Sequence, residues 1–247
     1  MTSTLTIPHR FCGPPVSGNG GWTAGALAAH LGPVGRADTD PVRVMLRKPP
    51  PLDTALDVVV TDADDSAEGG PTAAATLGDV LVATATMAPD VIEVEPVGAD
   101  VARAAEASFV GLTAHPFPSC FSCGPDRAPG DGLRIFPGRV DDDSHGQVRV
   151  AATWTPGADV DGATTWAALD CVGGWSGDLT ERPMVLGSMT ARVPALPRAG
   201  EEHVLVGSAR GIDGRRVHTA STLYDSTGRV VAAAEHLWFT IDPKDFS

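Results

Sequence analysis

The chain has 247 residues, 43% of them hydrophobic and 20% charged, which is enough for one large or two ordinary domains with ample core. Its formal net charge of −13 argues against nucleic acid and an anionic membrane as partners, because both select a basic face. The start lacks a basic stretch followed by an apolar core, no segment nears the roughly 18 apolar residues of a span, and four cysteines make no disulfide framework; a cytoplasmic protein is expected.

The first element is announced by Asn19-Gly20-Gly21. Asn19 is a good N-cap, the two glycines allow a tight turn, and from Trp22 the residues are small and apolar until Gly32-Pro33. A helix apolar on every side must be wrapped by other elements. Strands are then predicted over Val42–Lys48, with Arg43 and Arg47 on one face, and over Ala55–Thr61. Asp62 to Pro71 reads as an acidic turn, and Thr72–Leu77 with Val80–Thr86 as a hairpin around Gly78-Asp79.

Residues 91–145 read as a connection. They hold a short helix at Val101–Ala107, a Pro/Gly-rich run from His115 to Gly138, and Asp141-Asp142-Asp143 as a solvated turn. A strand over Gln147–Trp154 follows. Asp161-Gly162 then leads into a second small, apolar helix, Thr164 to Trp175, with Asp170 inside it. Strands are predicted at Met184–Val193, Glu202–Arg210, Arg216–Tyr224 and Arg229–Ile241, with turns at Asp213-Gly214 and Ser226-Thr227-Gly228.

The two halves correspond in order. Asn19 matches Asp161, Pro49 matches Pro194, and Leu77 matches Leu223, at offsets that drift only from 142 to 146 positions. That is the signature of one duplicated unit with small insertions. The predicted domains are an N-terminal repeat over 1–90, the connection over 91–145, and a C-terminal repeat over 146–247.

One apolar helix followed by a long antiparallel meander resembles the hotdog fold, and two copies in one chain resemble a double hotdog, an α+β architecture in which each central helix is wrapped by an antiparallel sheet. The closest resemblance is to hotdog acyl-CoA thioesterases of the phenylacetate-pathway and 4-hydroxybenzoyl-CoA type, which carry His-Gly-Gly at the start of the central helix and an acid a few turns along it. Asn19-Gly20-Gly21 fits that slot with Asn in place of His, while Ala28 stands where the acid belongs. In the second half Asp161-Gly162-Ala163 fills the slot loosely, and Asp170 stands at the acid position. The first copy keeps the glycines and the second keeps the carboxylate.

The resemblance implies a thioester hydrolase, with Asp170 as general base or nucleophile and the N–H groups at Gly20 and Gly21 polarising the carbonyl. Asn19, Trp22, Asp161, Gly162, Thr165 and Trp166 are the implied substrate-binding residues, and Arg43, Arg47, Arg192 and Arg198 are candidates for the phosphates of coenzyme A. The implied partner is acyl-CoA or another acyl thioester, and a homodimer of double-hotdog chains is left open. A hotdog hydratase or dehydratase is one alternative, although Asp170 has no His beside it. A non-catalytic acyl-CoA or acyl-carrier binding module is the other.

No cofactor and no metal is expected. Cys120-Phe121-Ser122-Cys123 supplies half a zinc site, but zinc takes about four ligands. Cys12, Cys171 or a histidine would have to complete the set from far along the chain. The stretch is therefore read as a turn stiffened by Pro116, Pro118 and Pro125. No Gly-x-Ser-x-Gly elbow occurs, and the glycines of Val16 to Gly21 lack a phosphate loop's Gly-Lys-Ser/Thr ending. His236 and Trp238, alternating on the last strand, read as core or pocket lining.

Overall fold

The computed structural model describes residues 2–32, 40–62, 70–242 and 244. Pro33 of the expected helix stop, and most of the acidic turn over 62–71, lie outside the described residues. In chain order the elements are β1 (Thr2–Thr6), α1 (Gly20–Ala28), β2 (Val42–Leu46), β3 (Ala55–Thr61), β4 (Thr72–Leu77) and β5 (Val80–Met87). There follow α2 (Ala99–Ala105), β6 (Gly138–Val140), β7 (Arg149–Trp154), α3 (Gly162–Ser176), β8 (Met184–Arg192), β9 (His203–Asp213), β10 (Arg216–Tyr224) and β11 (Val230–Thr240).

The eleven strands form one sheet in the order β1-β3-β4-β5-β2-β8-β11-β10-β9-β7-β6, with every neighbouring pair antiparallel. The centre is the β2–β8 pair, where Val44 faces Met189. Outward from it, β5, β4, β3 and β1 on one side are answered by β11, β10, β9 and β7 on the other. Gly78 sits at the β4–β5 turn with φ +56° and Gly214 at the β9–β10 turn with φ +57°, a left-handed conformation that glycine adopts without steric cost.

α1 lies against β2, β4, β5 and β8 of this sheet, and α3 against β7 to β11. Every residue of α3 except Thr164 is buried, which is why its sequence has no polar face. β9 is covered on both sides. Leu205 points into the main core with Leu169 and Val172, while Val204 and Val206 face Ala102 and Ala105 of α2. Strands buried on both faces read as unbroken apolar runs, as Val204-Leu205-Val206 does.

Two expectations are corrected here. Gly20 and Gly21 lie within the first turn of α1 rather than in a tight turn before it, and neither is among the positive-φ glycines. Their smallness serves packing, not turning. The Asp141–Asp143 turn is not wholly solvated either. Asp143 is buried, and one carboxylate oxygen accepts from the N–H groups of His145 and Gln147 at 2.9 and 2.8 Å.

Candidate active site

The site is built where α1 and α3 cross. A Cβ on Gly21 would stand 2.4 Å from Asp170 Cβ, and one on Gly25 would stand 2.8 Å from Ala163 Cα. Moving forward along α1 therefore means moving backward along α3, so the helices are antiparallel. The start of α1 meets the middle of α3, and the glycines of the first half are brought to the carboxylate of the second. What the sequence divides between its two halves is one constellation in space.

Asp170 is only 2% exposed. Its Oδ2 accepts a hydrogen bond from the Gly21 N–H at 2.8 Å, while its Oδ1 has no partner among the described residues. Burial pushes the carboxyl up to about 8, opposed by the Gly21 N–H and reinforced by charge on Cys120. A buried acid with one oxygen unpartnered contributes little to packing. It is suited to proton transfer near neutrality.

Asn19 organises the helix start. Its Oδ1 accepts from the Trp22 N–H at 2.8 Å, the side-chain cap expected of it. Its Nδ2 points the other way, 3.3 Å from Ser122 Oγ, 3.7 Å from Cys120 Sγ and 3.9 Å from Cys171 Sγ. Of the next two N–H groups, Thr23 donates to the Asn19 carbonyl and Gly21 to Asp170. The Gly20 N–H takes no partner among the described residues.

A cavity of about 200 Å³ opens beside this junction. Gly20, Asn19 and Asp170 form part of its wall, Leu179, Leu186 and Trp238 supply apolar surface, and Arg47 and Lys48 stand on its rim. Both rim residues are exposed. Cys120, Cys123, Cys171 and His115 also line it. The three sulfurs lie within 4.8 Å of one another, all buried, with Cys120 and Cys171 3.6 Å apart. Hydrogen bonds from Cys123 and Cys171 drive the Cys120 thiol down. Burial drives Cys123 up, and the bond to Cys120 does the same to Cys171.

The remaining expected site residues are dispersed. Trp22 stacks on Phe11, with ring centroids 4.2 Å apart, and is not part of the cavity wall. Asp161 caps the far end of α3, accepting from the Thr164 N–H at 2.8 Å, and Thr165 Oγ1 donates to the Asp161 carbonyl. Nine residues of helix put Asp161 roughly 13 Å from Asp170 along the axis. Gly162 and Trp166 also lie outside the cavity, with Trp166 buried in the core between the helices. Of the arginines, Arg47 reaches the cavity, Arg43 is engaged with Thr190, Arg192 is bridged to Asp90 and Glu93, and Arg198 pairs with Glu201. His236 is core, buried next to Thr219 and Gly173.

Sequence reasoning missed that the Cys120–Cys123 turn borders Asp170. The available signal was Cys171, the residue directly after the acid. The segment is not a loose connection: the Phe121 N–H donates to the Cys12 carbonyl, and Ser122 Oγ donates to the Ala167 carbonyl on α3.

No family model matches the sequence, and no curated protein matches it. Solved structures do resemble it. A conserved protein of unknown function with a hot dog fold from Alicyclobacillus acidocaldarius aligns at TM-score 0.65 and 16% identity, covering 98% of this chain and 94% of its own. The fold is a double hotdog. A protein from Thermobifida fusca that carries the name thioesterase II by assignment aligns at TM-score 0.65 and 12% identity, covering 98% and 92%. An acyl-CoA thioesterase II from Mycobacterium marinum aligns at TM-score 0.56 and 13% identity, covering 99% and 94%. At such identities the likeness is one of fold, the double hotdog over nearly the whole chain.

Proposed function

We propose that this double-hotdog chain hydrolyses an acyl thioester, with coenzyme A as the carrier. The observation that carries the reading is the half-unpartnered Asp170 carboxyl in the wall of the same cavity as Gly20, whose N–H has no partner among the described residues. Two hotdog neighbours of the same length class are named as thioesterases, in keeping with it. We take residues 1–90 and 146–247 as the two units, with the site shared between them.

A thioester carbonyl gains negative charge on its oxygen as it is attacked. The N-terminus of α1 offers the Gly20 N–H and the positive end of the helix dipole for that charge. Asp170, acting from α3, either takes a proton from the attacking water or adds to the carbonyl carbon itself. In both routes the C–S bond breaks, the thiol leaves with a proton, and water supplies the new carboxylate oxygen. The cavity is small, which suits the acyl group with its thioester rather than the whole carrier. Arg47 and Lys48 at the rim then face the anionic part of the carrier, local positive charge on an otherwise acidic protein. No described helix is long and apolar enough to cross a membrane.

The test is a panel of acyl-CoAs incubated with the protein while free thiol is followed. Turnover that is lost in Asp170→Asn supports hydrolysis. One observation favours the non-catalytic reading: the Gly21 N–H is already occupied by Asp170. Saturable binding of acyl-CoA without release of thiol would establish that reading instead.

A further inference from the structure

We infer that Cys120, Cys123 and Cys171 bind one thiophilic divalent metal ion, of the zinc class, in the wall of the active-site cavity. Separation along the chain argued against a metal at the Cys120–Cys123 turn, and the fold removes that separation. Cys171, on α3, is carried to within 3.6 Å of Cys120 between sulfurs, and all three sulfurs fall within 4.8 Å of one another. A tetrahedral zinc with Zn–S bonds of about 2.3 Å requires sulfurs roughly 3.8 Å apart. The cluster needs only small side-chain adjustment to reach that spacing.

The donors suit the ion. Thiolates select zinc and other soft or borderline metals over magnesium and calcium. Three buried thiolates around a dication leave one net negative charge, which calls for N–H donors to sulfur. Two are in place. Asn19 Nδ2 lies 3.7 Å from Cys120 Sγ and 3.9 Å from Cys171 Sγ, and His115 Nε2 lies 3.3 Å from Cys123 Sγ. His115 Nδ1 accepts from the Phe117 N–H at 3.0 Å, which leaves the ring proton on Nε2, directed at Cys123. His115 thus serves as an outer donor rather than a fourth ligand. Such outer hydrogen bonds fix and tune metal ligands.

With three protein ligands the fourth position is open, and since all three cysteines line the cavity with Asp170, that position belongs to a water or a ligand in the cavity. Cys12, the fourth cysteine, lies outside the cluster. Its sulfur is next to the Ser119 carbonyl and the Arg127 guanidinium.

The experiment measures metal on the full chain purified under reducing conditions, incubated with zinc, and freed of excess by gel filtration. It needs no acyl thioester, so its outcome is independent of hydrolysis. About one zinc per chain is expected, since buried thiolate sites hold zinc through purification. Cys120→Ser and Cys171→Ser should lose it, and Cys12→Ser should retain it. Because a cysteine variant that fails to fold would lose metal trivially, cobalt is added to the wild type as well. Visible bands of tetrahedral cobalt, with thiolate charge-transfer absorption in the near ultraviolet, are expected. Less than about a tenth of an equivalent of zinc, or cobalt that stays octahedral, would overturn the assignment. So would a Cys120–Cys171 disulfide in the reduced preparation, or a Cys12→Ser variant without metal.

Discussion

The Gly21 N–H donates to Asp170 Oδ2 at 2.8 Å across the α1–α3 crossing, joining the glycine of one half of the chain to the acid of the other. Neither half is complete alone. α1 has Ala28 where its own acid would stand, buried in the core, and the cap of α3, Asp161, stands roughly 13 Å from Asp170 along the helix axis. We propose one site per chain. Asp170→Asn keeps the shape and the acceptor for Gly21 but removes the basic oxygen. It should reduce thioester turnover about a hundredfold or more, leaving no residual activity from a second site. A free-thiol assay beside a melting curve checks this, and equal activity at equal melting temperature would remove Asp170 from the mechanism.

The crossing also makes Gly21 a packing position. Its Cβ would lie 2.4 Å from Asp170 Cβ and 2.7 Å from the Trp166 carbonyl, the latter backbone that cannot yield cheaply. Gly21→Ala should destabilise the protein by about 1–3 kcal/mol or more, as overpacking does. At Gly20 the nearest atoms are Leu186 Cβ at 2.8 Å and Cδ2 at 2.9 Å; a rotamer change moves only the second, but no backbone atom is among the close contacts, so the cost is smaller. Urea unfolding of the two variants should therefore rank Gly21→Ala well below Gly20→Ala. The reverse order would mean the helices are not held at this distance.

Much of this fold is legible in the sequence, and the exceptions have physical causes. β3 and β10 fall on their predicted bounds because alternation or apolar runs end at turn residues on each side. β1 was unseen because Thr2–Thr6 is polar with only Leu5 buried, and its strand character comes from pairing with β3. β6 is too short, at three residues, to show a period. Asp170 was legible as an acid in an apolar run. The three-cysteine cluster was not, because it depends on the 115–124 segment folding back onto α3. No local pattern encodes that contact.

His236 supplies a pH dependence. Burial pushes its imidazole down from 6.5 to about 3, opposed only by hydrogen bonding to Thr219. The folded value lies below the unfolded one, so the unfolded chain takes up the proton first as pH falls. Stability is then lost between about pH 6.5 and pH 3, and the loss levels off below that. Two units below 6.5 the penalty is roughly 2–3 kcal/mol. His236→Gln carries no such proton, so its melting temperature relative to the wild type's should rise as pH falls over that range, the change contributed by Asp170 being common to both. Parallel curves would show that the imidazole titrates in the folded state.

We propose that Arg47 and Lys48 select the carrier. They are exposed residues at the rim of the cavity on a chain whose net charge is −13. An anionic carrier meets general repulsion and is drawn in only where positive charge is local. If coenzyme A phosphates rest there, the contact is made equally in the bound state and in the transition state. Its loss then raises KM and leaves kcat alone. Arg47→Ala with Lys48→Ala should raise KM for an acyl-CoA about tenfold, the equivalent of ~1.4 kcal/mol, and more salt should shrink the difference between wild type and variant. A thioester of the same acyl group on a short uncharged thiol should be hydrolysed alike by both proteins, because it has nothing for the rim to hold. An acyl-CoA KM unchanged in the double variant would place the carrier elsewhere, and a fall in kcat for the uncharged thioester would show that these residues support the cavity rather than the phosphates.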